Sequence, residues 1–237
     1  MAARYDGHAD WYDTRFRNLG DESAALLAAL LGPADPADPA CLDIGCGTGL
    51  HFSAVAAGGH RIIGLDLSAD QLRIAAGRDP HVIRADAAHL PLPDASFPAI
   101  VMTFIHTDVD DFAAVVAEAA RVLRPGGRLV YLGPHPAFVG AFAARQDEPE
   151  HGAVRFEPGY GDERLRRDPT GRFPIRSRVG ARNLTLTTFL GAFLAQPDLR
   201  LTSVRELDTA MRPWPPPSSD GRILPWNIAV TARNKLP

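Results

Sequence analysis

Three glycines at every second position follow an acid in the stretch LDIGCGTGL, residues 42–50. A turn with so little side chain lets a bulky group lie directly against the backbone, and the helix start that follows leaves amide groups unpaired. The carboxylate of Asp43 stands two residues before Gly45, where it would repel a pyrophosphate and could help hold a cationic amino-acid tail, directly or through water. The spacing Asp43-x-Gly45-x-Gly47-x-Gly49 therefore predicts a site for a nucleoside that carries such a tail.

Two further acids stand where the next two predicted strands end. Asp66 lies in IIGLDLS and Asp86 in VIRADAAHL. Asp66 is placed to accept both hydroxyls of a ribose, and Asp86 could accept from the exocyclic amine of an adenine. The alternative interpretation is structural, because acids at strand ends often form turns or cap helices.

Two histidines follow later strands at the same predicted edge of the sheet. His106 comes after the fourth strand in TFIHTDVDD, and His135 comes after the fifth in YLGPHPAF. Imidazole titrates near neutrality, so either ring could act as a general base, and Asp108 could orient either one. The alternative is that His106 is a satisfied loop histidine and that His135 packs beside prolines.

Contacts to a substrate are predicted from two segments rich in proline, glycine and charge. Tyr160 and Arg178 would reach a substrate if residues 135–185 fold over the pocket as a lid. Trp214 and Trp226 lie in MRPWPPPSSDGRILPW, which begins on the ligand side if the sixth strand is parallel to the fifth. They could supply flat contacts for an aromatic or polyketide-like acceptor. Alternatively, this is a stiff surface loop whose tryptophans pack in the core.

Apolar runs of strand length alternate with helix-like segments through about residue 135, a pattern typical of a parallel sheet with crossover helices. A helix is predicted over 109–123, where apolar residues repeat at helical spacing until RPGG, and another near 187–195. The predicted strands cover residues 41–45, 61–67, 81–86, 99–104, 128–133, 199–207 and 227–232.

Composition limits the class of protein. The chain has 237 residues, of which 46% are hydrophobic and 22% charged, which suits one soluble domain or a core domain with a cap. A net charge of −3 argues against a nucleic-acid partner. Cys41 and Cys46 lack neighbouring ligands, so no metal site and no disulfide are implied. The N-terminus has no apolar stretch, so we expect a cytoplasmic chain without a membrane partner.

Four motifs occur in order along residues 40–133, namely LDIGCGTG, GLDLS, ADAAHLPLPDASF and RVLRPGGRLV. Together they resemble the class I S-adenosylmethionine-dependent methyltransferases, in particular the small-molecule enzymes with an LDIGCGTG first motif. The resemblance implies a doubly wound α/β fold with a seven-stranded, mostly parallel sheet of order 3-2-1-4-5-7-6, its last strand antiparallel. It also implies one Rossmann-like domain over 1–237, with an N-terminal cover helix at 1–20 and the inserted lid at 135–185.

The same resemblance implies which residues contact the cofactor, S-adenosylmethionine. Those around its methionine part are Asp43, Gly45, Gly47, Gly49 and, after the fourth strand, Thr103. Those around its nucleoside are Asp66, Leu67, Asp86 and Ala87. Tyr5 and Tyr12, in YDGHADWYD, look like part of the helix that covers the cofactor in relatives, although plain packing of that helix explains them equally well.

The resemblance implies transfer of a methyl group to an oxygen or nitrogen atom of a small organic acceptor, with a carbon acceptor left open. The composition, heavy in Ala, Arg, Gly and Pro, favours a natural product or other secondary metabolite. Asp-Pro-Pro-Tyr or Asn-Pro-Pro-Tyr, typical of nucleic-acid amino-methylation, is absent where TFIHT stands. The oligomeric state stays open.

Two other functions are compatible with a glycine-rich turn of this kind. A protein of the same fold could bind S-adenosylmethionine and catalyse a rearrangement without methylation, or could only bind a ligand. A nicotinamide-dependent oxidoreductase is the other alternative, but it would require G-x-G-x-x-G spacing around a pyrophosphate, which this turn lacks.

Overall fold

The structure is a computed structural model that describes residues 3–138, 143–145, 154–156, 159–171, 173–208, 210–213 and 225–236. Trp214, a candidate substrate contact, lies outside these residues. The strands are β1 Ala40–Ile44, β2 Arg61–Asp66, β3 Val82–Arg84, β4 Phe97–Thr103, β5 Leu123–Pro134, β6 Ala143–Arg145, β7 Val154–Phe156, β8 Leu199–Leu207 and β9 Asn227–Asn234. The helices are α1 Ala9–Leu31, α2 Phe52–Ala57, α3 Ala69–Ala75, α4 Phe112–Val122, α5 Pro174–Val179 and α6 Leu186–Leu194.

Seven strands form one sheet in the order β3-β2-β1-β4-β5-β9-β8. The first five pair in parallel, and β9 runs antiparallel to both of its neighbours. β6 and β7 form a separate hairpin. When the seven strands of the sheet are numbered alone, the order is 3-2-1-4-5-7-6, so the predicted fold is confirmed.

Alternate residues of the central strands pack on opposite faces of the sheet, as the two-residue period of a strand requires. Leu42 and Ile100 face α4 and α6 in one apolar cluster. Cys41 and Val101 face α1, α2 and α3 in the other. Because both faces are covered, β1 reads as one continuous buried run.

Several element boundaries differ from those predicted. The N-terminal helix continues past residue 20 to Leu31, because its second half is rich in alanine and leucine and its last leucines are buried. The helix predicted from residue 109 begins at Phe112, since the carboxylate of Asp111 caps it by accepting from the amide of Ala114 at 2.9 Å.

The segment 135–185 contains more regular structure than the one helix expected there. It includes the hairpin of β6 and β7 as well as α5. An isolated bridge joins Arg166 to Ala181, so the chain on either side of α5 is held together. The amide of Arg182 donates to the carbonyl of Thr107 at 2.8 Å, which fixes the end of the segment to the loop after β4.

Candidate active site

The glycine turn after β1 has the conformation that its sequence predicts. Gly45, Gly47 and Gly49 have φ values of 73°, 55° and 78°, in the left-handed region that favours glycine. A Cβ atom on Gly45 would lie 2.4 Å from Ile105, whereas one on Gly47 would meet nothing closer than 3.7 Å. The turn therefore needs glycine at position 45 for packing, and it leaves open space beside position 47.

Asp43 is buried at the end of β1, with only 1% of its surface exposed. Both of its carboxylate oxygens are buried and have no hydrogen-bond partner among the described residues. Burial and the nearby charge of Asp66 raise the pKa of Asp43 to about 7. An unpartnered buried carboxylate is costly, and a cationic group beside it would remove that cost.

Asp66 ends β2 on the other side of the glycine turn. Its two oxygens accept from the backbone amides of Gly47 and Ser68, each at 2.9 Å. Burial raises its pKa, and these hydrogen bonds oppose that shift. The next side chain, Leu67, is 45% exposed, which leaves a large apolar surface free beside the acid.

Asp86 stands just beyond β3 and is exposed. Its carboxylate accepts from the amide of Ala88 at 2.9 Å and lies 3.7 Å from the ring of His89. Ala87, between them, is buried. Asp86 therefore forms a turn, as the structural interpretation of acids at strand ends predicts. Its carboxylate nevertheless lies at the same edge of the sheet as Asp66.

The N-terminal segment lies across this edge, where Tyr5 and Tyr12 meet edge to face with ring centroids 5.5 Å apart. The hydroxyl of Tyr5 donates to the carboxylate of Asp108, in the loop after β4. Polar contacts hold the segment in place: Ser68 donates to Asp6 at 2.7 Å, and Arg78 pairs with Asp13 at 2.8 Å.

Thr103, at the end of β4, is buried and hydrogen-bonded to a histidine that the sequence analysis did not single out. The Nδ1 atom of His51 lies 3.1 Å from the Thr103 hydroxyl, and its Nε2 atom lies 2.7 Å from the hydroxyl of Ser23 in α1. Burial lowers the pKa of His51 to about 4, so its ring is neutral. The position of His51 directly after the glycine turn was the signal that could have identified it.

His106 is buried among aromatic rings behind the loop after β4, with 1% of its surface exposed. Its Nδ1 atom lies 2.5 Å from the hydroxyl of Tyr131, and its Nε2 atom is buried without a partner among the described residues. Burial, with a smaller contribution from the charge of Arg176, lowers its pKa to about 3.

His135, also 1% exposed, has a partner at each ring nitrogen. The amide of Ala137 donates to Nδ1 at 3.1 Å, so Nε2 carries the proton and donates to Glu206 at 3.0 Å. Burial lowers the pKa of His135, and the Glu206 carboxylate opposes that shift. Both nitrogens are thus engaged in holding the start of the loop after β5.

Asp108 orients neither histidine, which corrects the expectation from sequence. Its carboxylate accepts from Tyr5 instead, because the N-terminal segment docks on this loop. Burial raises the pKa of Asp108 to about 6, while the charges of Arg4 and Arg176 lower it. Asp108 thereby joins the N-terminal segment to the loop after β4.

The candidate substrate residues of the lid occupy different places. The hydroxyl of Tyr160 accepts from the amide of Leu186, at the start of α6. The guanidinium of Arg178 lies over the ring of Trp11, 4.1 Å from its centroid. It is Arg176, on the same helix and not identified from sequence, whose charge reaches Asp108 and His106.

Residues 42–131 match a family model described as a methyltransferase domain. A demethylmenaquinone methyltransferase of Mycolicibacterium gilvum is 35% identical over 136 residues, which are 55% of this chain and 58% of that protein. One from Tropheryma whipplei (strain Twist) is 42% identical over 93 residues, 38% of this chain and 39% of that protein. The chain thus spans about two fifths to three fifths of the length of these curated relatives.

Solved structures share the fold over most of the chain. An S-adenosylmethionine-dependent methyltransferase from Mesorhizobium loti has a TM-score of 0.66 at 23% identity, covering 90% of this chain and 98% of that one. The geranyl diphosphate C-methyltransferase of Streptomyces coelicolor A3(2), in complex with S-adenosyl-L-homocysteine, has a TM-score of 0.63 at 20% identity, covering 92% and 80%. The [4+2]-cyclase SpnF has a TM-score of 0.60 at 21% identity, covering 93% and 81%.

The residues at the sheet edge fit S-adenosylmethionine, the cofactor expected from the sequence. The unpartnered carboxylate of Asp43 suits an ammonium group, and the open side of Gly47 suits a group lying on the backbone. Among the described residues, no helix is long and apolar enough to span a membrane.

Proposed function

We propose that this chain, whose residues 42–131 match a methyltransferase-domain model, transfers a methyl group from S-adenosylmethionine to a small organic acceptor. The observation that carries the proposal is the pair of unpartnered oxygens on Asp43, buried beside an open glycine turn and close to a second acid. A ligand with a cationic amino-acid tail and a ribose satisfies these groups together.

Each cofactor contact follows from the chemistry of the residue. Asp43 binds the ammonium group while the turn of Gly45, Gly47 and Gly49 accommodates the methionine chain, and Asp66 accepts from the ribose hydroxyls. Leu67, half exposed beside Asp66, covers the adenine, whose edge Asp86 and Ala87 contact. The remaining contacts are Thr103, held by His51, and the N-terminal rings of Tyr5 and Tyr12.

When bound, S-adenosylmethionine supplies a methyl group already activated by its sulfonium. The protein then has to orient the acceptor and exclude water, and a correctly held pair of reactants accounts for much of the rate. The N-terminal segment and the lid, both docked on the loop after β4, are suited to that exclusion.

His106, rather than His135, is the proton acceptor in this proposal. Both nitrogens of His135 are engaged, whereas Nε2 of His106 is unpartnered. In the tautomer with the proton on Nδ1, that proton is donated to the Tyr131 oxygen, and the Nε2 lone pair is left to receive a proton from the acceptor. The pKa of about 3 keeps the ring neutral at physiological pH and makes it a weak base, so in this proposal it takes the proton only as the methyl group is transferred.

The acceptor in this proposal is an oxygen or nitrogen atom of a secondary metabolite, and carbon is the alternative atom. Relatives and neighbours with names that specify a substrate act on small molecules, demethylmenaquinone and geranyl diphosphate, and one of them is named a C-methyltransferase. These names support a small molecule as the acceptor. They leave open whether the methyl group is transferred to a carbon atom instead of an oxygen or nitrogen atom.

The test combines cofactor binding with transfer of label. We expect S-adenosylhomocysteine at a hundredfold excess over its Kd to stabilise the chain by about 2.7 kcal/mol, with no comparable effect of a nicotinamide cofactor. Asp66→Ala should weaken that binding more than tenfold, whereas exposed Asp198→Ala should leave it unchanged. Labelled S-adenosylmethionine incubated with a metabolite extract should yield a labelled small molecule. Unchanged affinity in Asp66→Ala would contradict the site.

A second candidate function is a reaction without methyl transfer on the same fold. The structural similarity to the [4+2]-cyclase SpnF is the observation that favours it. Tight binding of S-adenosylhomocysteine with no label transferred to any acceptor would support this second function over the first.

A further inference from the structure

Arg176 is a lid residue whose charge acts on groups of the N-terminal segment and of the loop after β4. It lies on α5, half buried, with its guanidinium 4.8 Å from the centroid of the Phe173 ring. The groups that feel its charge come from the N-terminal segment, from the loop after β4 and from the lid itself: Tyr5, His106, Asp108 and Asp168. Loss of solvent lowers its pKa to about 10, so the side chain remains a cation at physiological pH.

The two acids near Arg176 use their oxygens elsewhere. Asp168 accepts from the amide of Thr170 at 2.9 Å, from its hydroxyl at 2.6 Å and from the amide of Phe173 at 2.6 Å. Asp108 accepts from Tyr5. Among the described residues, no carboxylate lies within 4.0 Å of the Arg176 guanidinium and no acceptor takes a hydrogen bond from it. Its planar set of N–H donors is therefore available to a ligand.

Unpartnered nitrogen atoms flank the same loop. Nε2 of His106 is buried without a partner, and so is Nη1 of Arg4, whose other terminal nitrogen donates to the carbonyl of Asp108. Arg4 thus binds the backbone of the loop from the N-terminal segment, while the charge of Arg176, on the lid, lowers the pKa of His106. The two arginines give the corner between the N-terminal segment, the lid and the loop after β4 an excess of donors without acceptors among the described residues, whereas Nε2 of His106 presents a lone pair there.

We propose that Arg176 binds an anionic oxygen group of the methyl acceptor, a carboxylate or a phosphate, and that the acceptor is therefore a small organic anion. This inference rests on the proposed function. The fork of a guanidinium matches two oxygens of such a group, and a charge-assisted pair in a partly desolvated site is stronger than a neutral hydrogen bond. A neutral acceptor would leave this partly buried cation unpaired, so the same residue selects against it.

The experiment measures binding of small anions to the full chain saturated with S-adenosylhomocysteine. The probes are benzoate and phenyl phosphate, with benzamide as the neutral probe of similar shape, titrated by calorimetry. We expect one anion to bind with a Kd on the order of 1 mM or tighter and benzamide to bind at least tenfold more weakly. Whichever of the two anions binds more tightly identifies the group.

Variants at two arginines of the lid assign the effect to Arg176. Arg176→Gln should weaken binding of the anion at least tenfold, and exposed Arg167→Gln should leave it within twofold. Arg176→Lys keeps the charge without the fork and should be intermediate. If Arg176→Gln does not fold, the affinity of Arg176→Lys for the anion shows whether Arg176 binds it. S-adenosylhomocysteine should bind all variants equally.

The outcomes separate this inference from the methyltransferase assignment. If S-adenosylhomocysteine binds and Arg176→Gln retains the affinity for the anion, the inference is wrong and the assignment stands. If neither anion binds the wild-type chain, the inference is wrong as well. If S-adenosylhomocysteine does not bind, the assignment fails, and the same titration of the cofactor-free chain still decides whether Arg176 holds an anion.

Discussion

At the scale of single residues, the energetic effect of Asp43 depends on whether a cationic ligand is bound beside it. Its carboxylate is buried, unpartnered and close to a second acid, and its pKa is about 7 in the folded chain against a reference value of 3.8. Such a group destabilises the cofactor-free protein. The same feature makes it a strong partner for an ammonium ion, so function and stability are opposed at this position.

Replacing Asp43 by asparagine should therefore stabilise the cofactor-free chain and lower its affinity for the cofactor. Below pH 3.8 the acid is protonated in both folded and unfolded chains and costs nothing. The cost grows as pH rises from about 4 to about 7 and is constant above. Denaturant titrations should show Asp43→Asn more stable than wild type at pH 8, with a smaller difference at pH 4.5.

In the same variant, binding of S-adenosylhomocysteine should weaken at least tenfold. Exposed Asp198→Asn is the control and should change neither property. A wild-type chain that is the more stable of the two at pH 8 would show that the Asp43 carboxylate has a partner in solution.

The two buried histidines, His106 and His135, differ in whether their ring nitrogens have hydrogen-bond partners. His106→Gln should lower turnover about a hundredfold without changing cofactor affinity, since it removes the unpartnered Nε2 lone pair. His135→Gln should leave the rate within about threefold and reduce stability, because Glu206 loses its donor. Tyr131→Phe, which removes the hydroxyl bound to Nδ1, tests the tautomer without altering the ring packing.

Single-turnover rates with a labelled cofactor are the measurement for these histidine variants. Unchanged rates in both His106→Gln and Tyr131→Phe would mean that transfer depends on positioning alone and needs no base from this chain.

At the scale of elements, the N-terminal segment and the lid dock on one loop, residues 104–111. Tyr5 and Arg4 bind it from one side through Asp108, and Arg182 binds it from the other through Thr107 and Asp110. Movement of this loop would therefore alter both covers of the site. Phe104, with a φ of 55°, begins it in a strained conformation, a feature that clusters at functional sites.

Loosening the lid should be measurable without any substrate. Arg182→Ala removes side-chain bonds to Asp110, at 3.2 Å, and to the carbonyl of Glu163, at 3.2 Å, but retains the backbone bond to Thr107. Partly exposed ion pairs contribute about 0.2–1 kcal/mol, so amide exchange at Arg166 and Ala181 should accelerate about two- to fivefold. Hydrogen-exchange mass spectrometry provides the measurement.

The exposed Arg164→Ala is the matched control for the lid, because it removes a pair within the same segment. It should leave the exchange of Arg166 and Ala181 unchanged. Equal exchange in Arg182→Ala and wild type would show that the backbone bond alone holds the lid.

At the scale of the whole molecule, the sheet order decides where chemistry can occur. β1 lies between β2 and β4, so the carboxyl ends of these parallel strands meet at the point where the order of strands reverses. Ligands of open α/β sheets bind at such a switch point. Asp43, Asp66 and Thr103 reach it from three strands, although they are far apart in sequence.

The sequence by itself determined the sheet and the cofactor edge. Strand patterns are local, because apolar residues within one run decide burial. The order of the strands was implied by the resemblance to the class I methyltransferases that the four motifs carry. Asp43, Asp66 and the glycine turn could be proposed as a site because each stands at or just beyond a strand end that is visible in the local sequence. The bounds of α1 were wrong even though the sequence marks its end: Gly32 caps the helix by donating its amide to the carbonyl of Ala28, and Pro33 follows.

Only the tertiary structure decided which side chains meet. His51 bridges Ser23 and Thr103, Asp108 binds Tyr5 instead of a histidine, and Arg178 lies over the ring of Trp11. Each of these pairings joins segments brought together by docking of α1 or the lid on the sheet. The free energy of such docking is spread over many weak contacts, so no local pattern in the chain encodes which partner a given side chain receives.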